Sequence, residues 1–283
     1  METQIHYYVR GVDQLQHEQN VFEGRSTRIK NEIKTNLEIS RNHSGDLETE
    51  RRGPDKTGGP DEMATENEIT VSIIAAKGQG KSVFLASELH KLKKGILLDT
   101  IGVFDPRSRF KTAIIPNSSY FETPAAYIKA DKKPKKSVID FSGFIGSELI
   151  EEMDVLSAYI YQNIPNMPVL IDEVADIMPL HGGSKDLHRL IKNGRNHGNK
   201  PFVFATQRPQ NINKNIFDLC DVFFVSMQRA PRTVEYIADL VDLRGDKDFV
   251  KKIKSLKQRE FLRYDGFKTT SYRVPPYKYA FTQ

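Results

Sequence analysis

The most informative segment of this chain is Ile69-Thr70-Val71-Ser72-Ile73-Ile74-Ala75-Ala76-Lys77-Gly78-Gln79-Gly80-Lys81-Ser82. It begins with an apolar, β-branched run typical of a buried strand and continues into a loop that contains two glycines. Residues 83–89 then have the composition of a helix. A strand, a glycine-containing loop and a helix N-terminus in this order predict a P-loop, in which backbone N–H groups wrap phosphates.

The residues of this loop have separate predicted roles. We expect Lys81 to neutralise the β- and γ-phosphate oxygens and the Ser82 hydroxyl to coordinate Mg²⁺, so ATP and Mg²⁺ are the implied cofactors. Ala75 stands where the motif usually begins with glycine, at a strand end where another small residue can serve. The alternative is an ordinary glycine-rich turn beside an exposed lysine. The predicted nucleotide-binding residues are Gly78, Gln79, Gly80, Lys81, Ser82 and Val83.

Charge is distributed unevenly along the 283 residues, of which 38% are hydrophobic. Residues 1–66 carry 9 basic and 13 acidic side chains, whereas residues 67–283 carry 33 basic and 24 acidic ones. A basic domain suggests a polyanionic partner such as nucleic acid, although many basic domains only gain solubility from their charge.

The single cysteine and the hydropathy pattern indicate the cellular compartment of the protein. Cys220 alone cannot form an internal disulfide framework, and we expect it to be a small buried side chain. The sequence has no apolar run of about 18 residues and no signal-peptide pattern. We therefore expect a soluble protein of the cytoplasm.

Three segments are predicted along the chain. Residues 1–41 form an N-terminal leader, in which Ile29, Ile33 and Leu37 have helical spacing. This stripe could pack on the main domain or on a partner, or the leader could be partly disordered. Residues 42–67 have the composition of a flexible linker. Residues 68–283 are the predicted ATPase domain, with one or two further strands near its C-terminal end.

Apolar runs and amphipathic segments alternate within this last segment. The pattern predicts an α/β fold with a mostly parallel sheet covered by helices on both faces. Ligands of such sheets bind at the carboxyl ends of the strands, where the P-loop would lie. We predict helices at 81–93, 146–163, 184–194 and 232–242, and strands at 69–75, 95–99, 137–141, 168–172, 201–206 and 221–226.

A second motif predicts hydrolysis as well as binding. Residues 167–173 are an apolar run that ends in Asp172 and Glu173. Beside a P-loop, Asp172 would hold the hydrated Mg²⁺ and Glu173 would polarise the attacking water. We expect this strand to lie beside the P-loop strand. The alternative is that the two carboxylates cap the next helix.

A third polar cluster follows the apolar strand predicted at 201–206. Gln207 would come beside the γ-phosphate, where an amide can distinguish ATP from ADP through one hydrogen bond. In isolation the cluster could be a simple polar exit from a strand, but it accompanies the two earlier motifs.

These segments together resemble the HerA/FtsK superfamily of P-loop ATPases, which are ring-forming DNA translocases that include virus genome-packaging ATPases. The matching segments are AAKGQGKS, VLIDE, GRNHG and ATQRP, with weaker matches at 97–102 and 138–143. The resemblance covers about residues 69–242. It departs from the superfamily pattern at two positions. Ala75 replaces the first glycine of the P-loop motif, and Val103 stands where relatives often carry a glutamate.

The resemblance implies a RecA-like P-loop NTPase core and a homo-oligomer, a hexameric ring. In such rings one subunit offers an arginine to the γ-phosphate bound by its neighbour. Arg195 and Arg229 match or lie near such positions, so both are candidate catalytic residues beside Lys81, Glu173 and Gln207.

The implied substrate is double-stranded DNA, bound without sequence specificity by basic loops. The candidate loops are residues 129–136 and 181–185, although charged loops are usually only solvated. The resulting hypothesis is a minimal DNA-translocating ATPase that packages a genome. Two alternatives stay open, namely a conjugation- or repair-linked translocase that works with a separate nuclease, and an assembly or secretion ATPase that acts on a protein partner.

Overall fold

The computed structural model describes residues 69–106, 115, 117–194, 198 and 201–274. These residues belong to one compact unit of the chain. The predicted leader (1–41), the predicted linker (42–67) and Arg195 lie outside the described residues.

Strands and helices alternate through most of the described part of the chain. In order along the chain, they are β1 (Thr70–Ile74), α1 (Lys81–Lys91), β2 (Gly95–Asp99), β3 (Ser119–Phe121), α2 (Pro124–Lys129), β4 (Lys136–Asp140), α3 (Gly146–Asn163), β5 (Val169–Ile171), α4 (Lys185–Asn193), β6 (Phe202–Thr206), two 3₁₀ helices (Pro209–Asn211 and Lys214–Leu219), β7 (Val222–Ser226), α5 (Pro231–Leu240), α6 (Lys247–Ser255), β8 (Glu260–Tyr264) and β9 (Thr269–Arg273).

The nine described strands form one sheet in the order β3-β4-β2-β5-β6-β1-β7-β8-β9. The strands from β3 to β7 are parallel, while β8 and β9 run antiparallel to their neighbours. The carboxyl ends of the parallel strands therefore share one edge of the sheet. Because β8 is antiparallel to β7, its first residue lies at that same edge.

We predicted that the strand before Asp172 and Glu173 lies beside the P-loop strand, and this prediction is wrong, because one other strand lies between them. Strand β5, which precedes Asp172, pairs with β6 rather than with β1. Strand β6 pairs with β1 on its other side, with Ile74 opposite Thr206. The reason is that the chain returns after α4 to insert β6 between the two strands. The segment that carries Gln207 thus lies between the P-loop and the carboxylates.

Both faces of the sheet are covered, as predicted. On one face, Val71 and Ile73 of β1 lie in an apolar cluster with Phe84 of α1. On the other face, Phe204 of β6 lies in a separate cluster with Leu156 of α3. Adjacent strand residues point to opposite faces, so each buried strand contributes to both clusters.

Three short elements lie where the sequence shows no strong pattern. The residues of β3 are exposed or half-buried, so no apolar run marks that strand. Helix α2 has six residues and begins at Pro124, capped by the Thr123 hydroxyl. Helix α6 is rich in lysine, and only Phe249 and Ile253 of it are buried. Strands β8 and β9 occur where one or two C-terminal strands were predicted.

Phe84 provides a test of how α1 is attached to the sheet. Its fully buried ring lies 4.9 Å from that of Phe224, 5.1 Å from that of Phe261 and 5.4 Å from that of Tyr272. We expect Phe84→Ala to lower the free energy of unfolding by about 3–5 kcal/mol, because it removes an aromatic ring from a packed core. Urea denaturation measures the change.

The control for this substitution is Phe267→Ala, since the Phe267 side chain is almost fully exposed at the turn between β8 and β9. We expect its effect on stability to stay within about 0.5 kcal/mol. Equal urea midpoints for the two variants would contradict the described packing of α1.

Candidate active site

The P-loop follows β1 and leads directly into α1. Gly78 and Gly80 have φ angles of 79° and 94°, in the left-handed region that favours glycine. Gly80 is the residue before Lys81, the first residue of α1. The N–H of Ala75 donates to the Thr206 carbonyl at 3.0 Å, so Ala75 continues the strand pairing as expected of a small residue at a strand end.

The Lys81 ammonium lies between the two carboxylates of the Asp-Glu motif. Its Nζ donates to the Asp172 carbonyl oxygen at 2.7 Å and to Glu173 Oε2 at 3.0 Å. Nζ also forms an ion pair with Asp172 Oδ1 at 3.1 Å. All three side chains are buried, and a buried cation of this kind is stable only when it is paired. The structure thus brings together the predicted phosphate-binding lysine and the predicted catalytic carboxylates.

Ser82 and Asp172 provide the oxygen atoms that a magnesium site requires. Ser82 Oγ lies 3.3 Å from Asp172 Oδ2. Burial raises the pKa of Asp172, while the Lys81 ammonium opposes that rise. Mg²⁺ prefers hydroxyl and carboxylate oxygens and keeps several waters, so this pair fits the predicted metal-binding role.

Glu173 is held by the strand between it and the P-loop. Its Oε1 accepts a hydrogen bond from Thr206 Oγ1 at 2.7 Å, and its Oε2 accepts one from the Gln207 N–H at 3.1 Å. The Glu173 carbonyl accepts from Thr100 Oγ1 at 3.2 Å. Nothing in the sequence pattern assigned a role to Thr206 or Thr100, because a hydroxyl at a strand end has no distinctive spacing.

Gln207 has two different contributions at this site. Its backbone N–H orients Glu173, whereas its half-buried side chain lines the cavity beside the P-loop and the neighbouring cavity beside Glu173, of about 500 and 530 Å³. The predicted role of the Gln207 amide at the γ-phosphate stays a prediction.

Asp99 organises the loop after β2. Its carboxylate accepts hydrogen bonds from the N–H groups of Ile101, Val103 and Phe104, at 3.3, 3.1 and 2.7 Å. Burial raises the pKa of Asp99 to about 6, and the nearby carboxylates of Asp172 and Asp140 add to that rise. Val103 itself lines the P-loop cavity, at the position where the superfamily often has glutamate.

The two candidate arginines differ in what the structure describes. Arg195 lies outside the described residues. Arg229 is exposed and follows β7, at the sheet edge that carries the P-loop. It is not among the described residues that line the P-loop cavity. Both assignments stay predictions.

The basic loop at 129–136 lies at the opposite edge of the sheet, since it leads into the first residue of β4. Lys133 Nζ donates to the carbonyls of Tyr127, Ile128 and Ala130 at 2.7–2.9 Å, and so caps the end of α2. Lys136 Nζ donates to the His90 carbonyl at 2.7 Å. Two of the lysines predicted to contact DNA are therefore used within the fold.

The second candidate loop, residues 181–185, follows β5 at the nucleotide edge of the sheet. Gly182 and Gly183 have φ angles of 84° and 98°, and the Ser184 hydroxyl donates to Asp154 Oδ1 at 2.6 Å. Lys185 is exposed at the start of α4. This loop is therefore closer in the fold to the Asp-Glu motif than residues 129–136 are.

One further turn contacts the P-loop, and no sequence pattern indicates it. Gln258 Nε2 donates to the Gly78 carbonyl at 2.8 Å, and the Arg259 N–H donates to the Gln79 carbonyl at 3.1 Å. About 180 residues separate the partners in the chain, so only the antiparallel return of β8 brings them together.

The described residues include no helix long and apolar enough to cross a membrane, and no cluster of three or more metal-ligating His, Cys, Asp or Glu side chains.

The raised pKa of Asp99 predicts a pH dependence of stability. Its folded pKa of about 6 exceeds the ordinary value of 3.8. The folded chain therefore binds more protons than the unfolded chain between these values, and the stability from this group falls as pH rises from about 4 to 6. The loss is on the order of 3 kcal/mol.

Urea unfolding of the wild type and of Asp99→Asn, at pH 4 to 8 without Mg²⁺, tests this expectation. The amide does not titrate, so the stability difference between the two chains should shift against the wild type as pH rises. A difference that is constant over this range would contradict the raised pKa of the buried Asp99 carboxylate.

Comparisons with known proteins support the fold. No family model matches the chain. Over 114 residues it is 28% identical to Protein P9 of Pseudoalteromonas phage PM2, which corresponds to 40% of this chain and 51% of that protein. The chain thus spans about half the length of this curated relative.

Solved structures extend the similarity over the described domain. The genome-packaging NTPase B204 of Sulfolobus turreted icosahedral virus 2, in complex with AMPPCP, is 17% identical with a TM-score of 0.56, over 74% of this chain and 98% of that one. VirB4 of Thermoanaerobacter pseudethanolicus is 11% identical with a TM-score of 0.51, over 74% and 90%. The chain therefore shares the fold of B204 and VirB4, which confirms the predicted α/β P-loop NTPase fold.

Proposed function

We propose that this chain is an ATP-hydrolysing motor that translocates double-stranded DNA, of the genome-packaging type. The observation that carries the proposal is the buried cluster of Lys81, Asp172 and Glu173 beside the P-loop. A loop that only binds nucleotide does not need a second carboxylate held by its own hydrogen bonds. The shared fold with B204, which is described as a genome-packaging NTPase, supports the packaging role.

The chain would hold the nucleotide at the N-terminus of α1. Backbone N–H groups of the P-loop and the helix dipole favour phosphate there. Lys81 would exchange its contacts with Asp172 and Glu173 for phosphate oxygens. Ser82 and Asp172 would hold Mg²⁺, which neutralises charge on the β- and γ-phosphates when bound.

Glu173 would act as the base for the attacking water. Its release from Lys81 leaves a carboxylate that Thr206 Oγ1 and the Gln207 N–H still orient. An oriented carboxylate can accept the proton of a water that attacks the γ-phosphate. The Gln207 side chain, on the adjacent cavity wall, would contact the γ-phosphate and report its loss.

A homo-oligomeric ring, of six subunits in this proposal, would complete each site. The arginine supplied by a neighbouring subunit would stabilise negative charge that develops on the transferred phosphoryl group. Arg195 is the first candidate and Arg229 the second.

DNA would be gripped through its phosphates, without base recognition. The excess of 33 basic over 24 acidic residues in 67–283 supports this partner. The loop 181–185 is the better candidate contact, because it follows the strand that positions Glu173. The leader would dock on a capsid, membrane or nuclease partner.

DNA-stimulated ATP hydrolysis tests the proposed function. We expect duplex DNA of unrelated sequences to raise turnover, and we expect Glu173→Gln to lower kcat by about 10²- to 10⁴-fold because the amide cannot accept the proton. Lys81→Ala should abolish turnover at ordinary ATP concentrations. The matched control is Glu235→Gln, an exposed carboxylate on α5.

Turnover that needs Lys81 and Glu173 but ignores DNA would contradict translocation. It would favour a motor that acts on a protein partner.

A shared active site predicts rescue between inactive subunits. We expect Arg195→Ala to lose turnover while still binding ATP, because the arginine acts on the neighbouring site. Mixing it with Glu173→Gln subunits should restore part of the activity, since some interfaces then combine an intact arginine with an intact glutamate. ATPase assays of mixed and unmixed chains measure this.

Arg244→Ala is the control, since Arg244 is exposed and forms a 3.6 Å surface ion pair with Asp239, a kind of contact that contributes little to stability. Normal turnover of Arg195→Ala would shift the assignment to Arg229, which the same mixing experiment tests.

A further inference from the structure

The turn at Gln258 and Arg259 forms one wall of the cavity beside the P-loop. This cavity of about 500 Å³ is lined on its other sides by the P-loop, Ile101, Val103 and Gln207. The turn precedes β8, two strands from β1 on the side opposite to β5 and β6. None of the roles assigned above uses it.

The backbone of the turn already supports the P-loop without the Arg259 side chain. The Arg259 N–H donates to the Gln79 carbonyl at 3.1 Å. In a planar trans peptide the carbonyl and the following N–H point in opposite directions, so the Gly80 N–H points away from the turn. Any residue other than proline could supply this backbone contact.

The backbone conformation of Arg259 is one that arginine adopts rarely. Its φ angle is 66°, in the left-handed region where glycine and asparagine are favoured. A turn that served only to support the P-loop would be more stable with glycine here. An unfavourable residue in an active-site wall points to a use for its side chain.

The Arg259 side chain lies against the glycine that ends the P-loop. Its Cγ is 3.0 Å from the position that a Cβ atom on Gly80 would occupy. Arg259 is half-buried, and no acidic side chain in the described part of the chain forms an ion pair with it. Because Arg259 also lines the cavity beside the P-loop, its positive charge favours an anion bound there.

The order of the strands decides which phosphate this would be. The γ-phosphate must lie towards Glu173 and Gln207, after β5 and β6. The rest of the nucleotide then extends to the other side of β1, where Arg259 lies. We propose that Arg259 binds the α-phosphate of the nucleotide held by the P-loop of the same subunit. This inference rests on the proposed nucleotide-hydrolysing function and adds a residue to it.

The proposed Arg259 contact contributes to nucleotide affinity and not to the rate of the chemical step. An α-phosphate contact is the same before and after cleavage of the γ-phosphate, so its loss should weaken ATP and ADP alike. It should leave the rate at saturating ATP nearly unchanged, because uniform binding does not lower the barrier.

The experiment compares full-length Arg259→Asn and Arg259→Lys chains with the wild type. Asparagine tolerates the left-handed conformation, so Arg259→Asn removes the guanidinium without adding strain. We expect it to raise both the KM for ATP and the Kd for ADP, measured by calorimetry, by about 10- to 100-fold, with kcat within about threefold. Arg259→Lys should lose less affinity, because it keeps the charge. The control is Arg244→Asn, which removes an equal charge from an exposed site and should change neither constant.

Three results would overturn the proposal. They are an unchanged Kd for ADP in Arg259→Asn, a fall in kcat with an unchanged KM, and equal losses in the Asn and Lys variants. A wild-type chain that binds no ADP would contradict the proposed function as well. A wild-type chain that binds ADP but ignores DNA would contradict translocation alone and leave the Arg259 contact standing.

Discussion

The interaction on which the site depends is the buried ion cluster of Lys81 with Asp172 and Glu173. The lysine comes from the first turn of α1, and the carboxylates come from a loop two strands away, with distances of 3.0–3.1 Å between their charged atoms. Removing one partner from such a buried pair typically costs about 3–5 kcal/mol, because the other charge is left uncompensated. The cluster therefore fixes the position of the P-loop relative to the two carboxylates.

Two neighbouring elements hold the residues of this cluster in place. Strand β6 lies between the P-loop strand and the Asp-Glu strand, and its end supplies the Thr206 hydroxyl and the Gln207 N–H that orient Glu173. On the other side, Phe84 of α1 packs against rings from β7, β8 and β9. The same aromatic packing that covers this face of the sheet therefore holds the helix that carries Lys81.

The antiparallel return at the end of the domain extends the nucleotide site. Because β8 begins at the sheet edge that carries the P-loop, the Gln258–Arg259 turn contacts the loop from the side away from Glu173. A nucleotide in the loop would thus lie between a catalytic wall from β5 and β6 and a second wall from this turn. The basic segment 129–136 has no part in either wall, since it lies at the far edge and uses Lys133 to cap α2.

The P-loop, the Asp172-Glu173 pair and the mostly parallel sheet could be predicted from the amino-acid sequence. They are local patterns, in which a few consecutive residues indicate both a backbone conformation and a chemical role. Four other features became visible only in the folded chain: β6 separates the two motifs, Thr206 orients Glu173, Asp99 is buried and Arg259 lies against Gly80. Each of these facts depends on strand order and on contacts between residues far apart in the chain, such as the 180 positions between Gly78 and Gln258. Strand order depends on where each helix returns the chain to the sheet. That return position has no periodic pattern in the sequence, so it cannot be predicted from local residues.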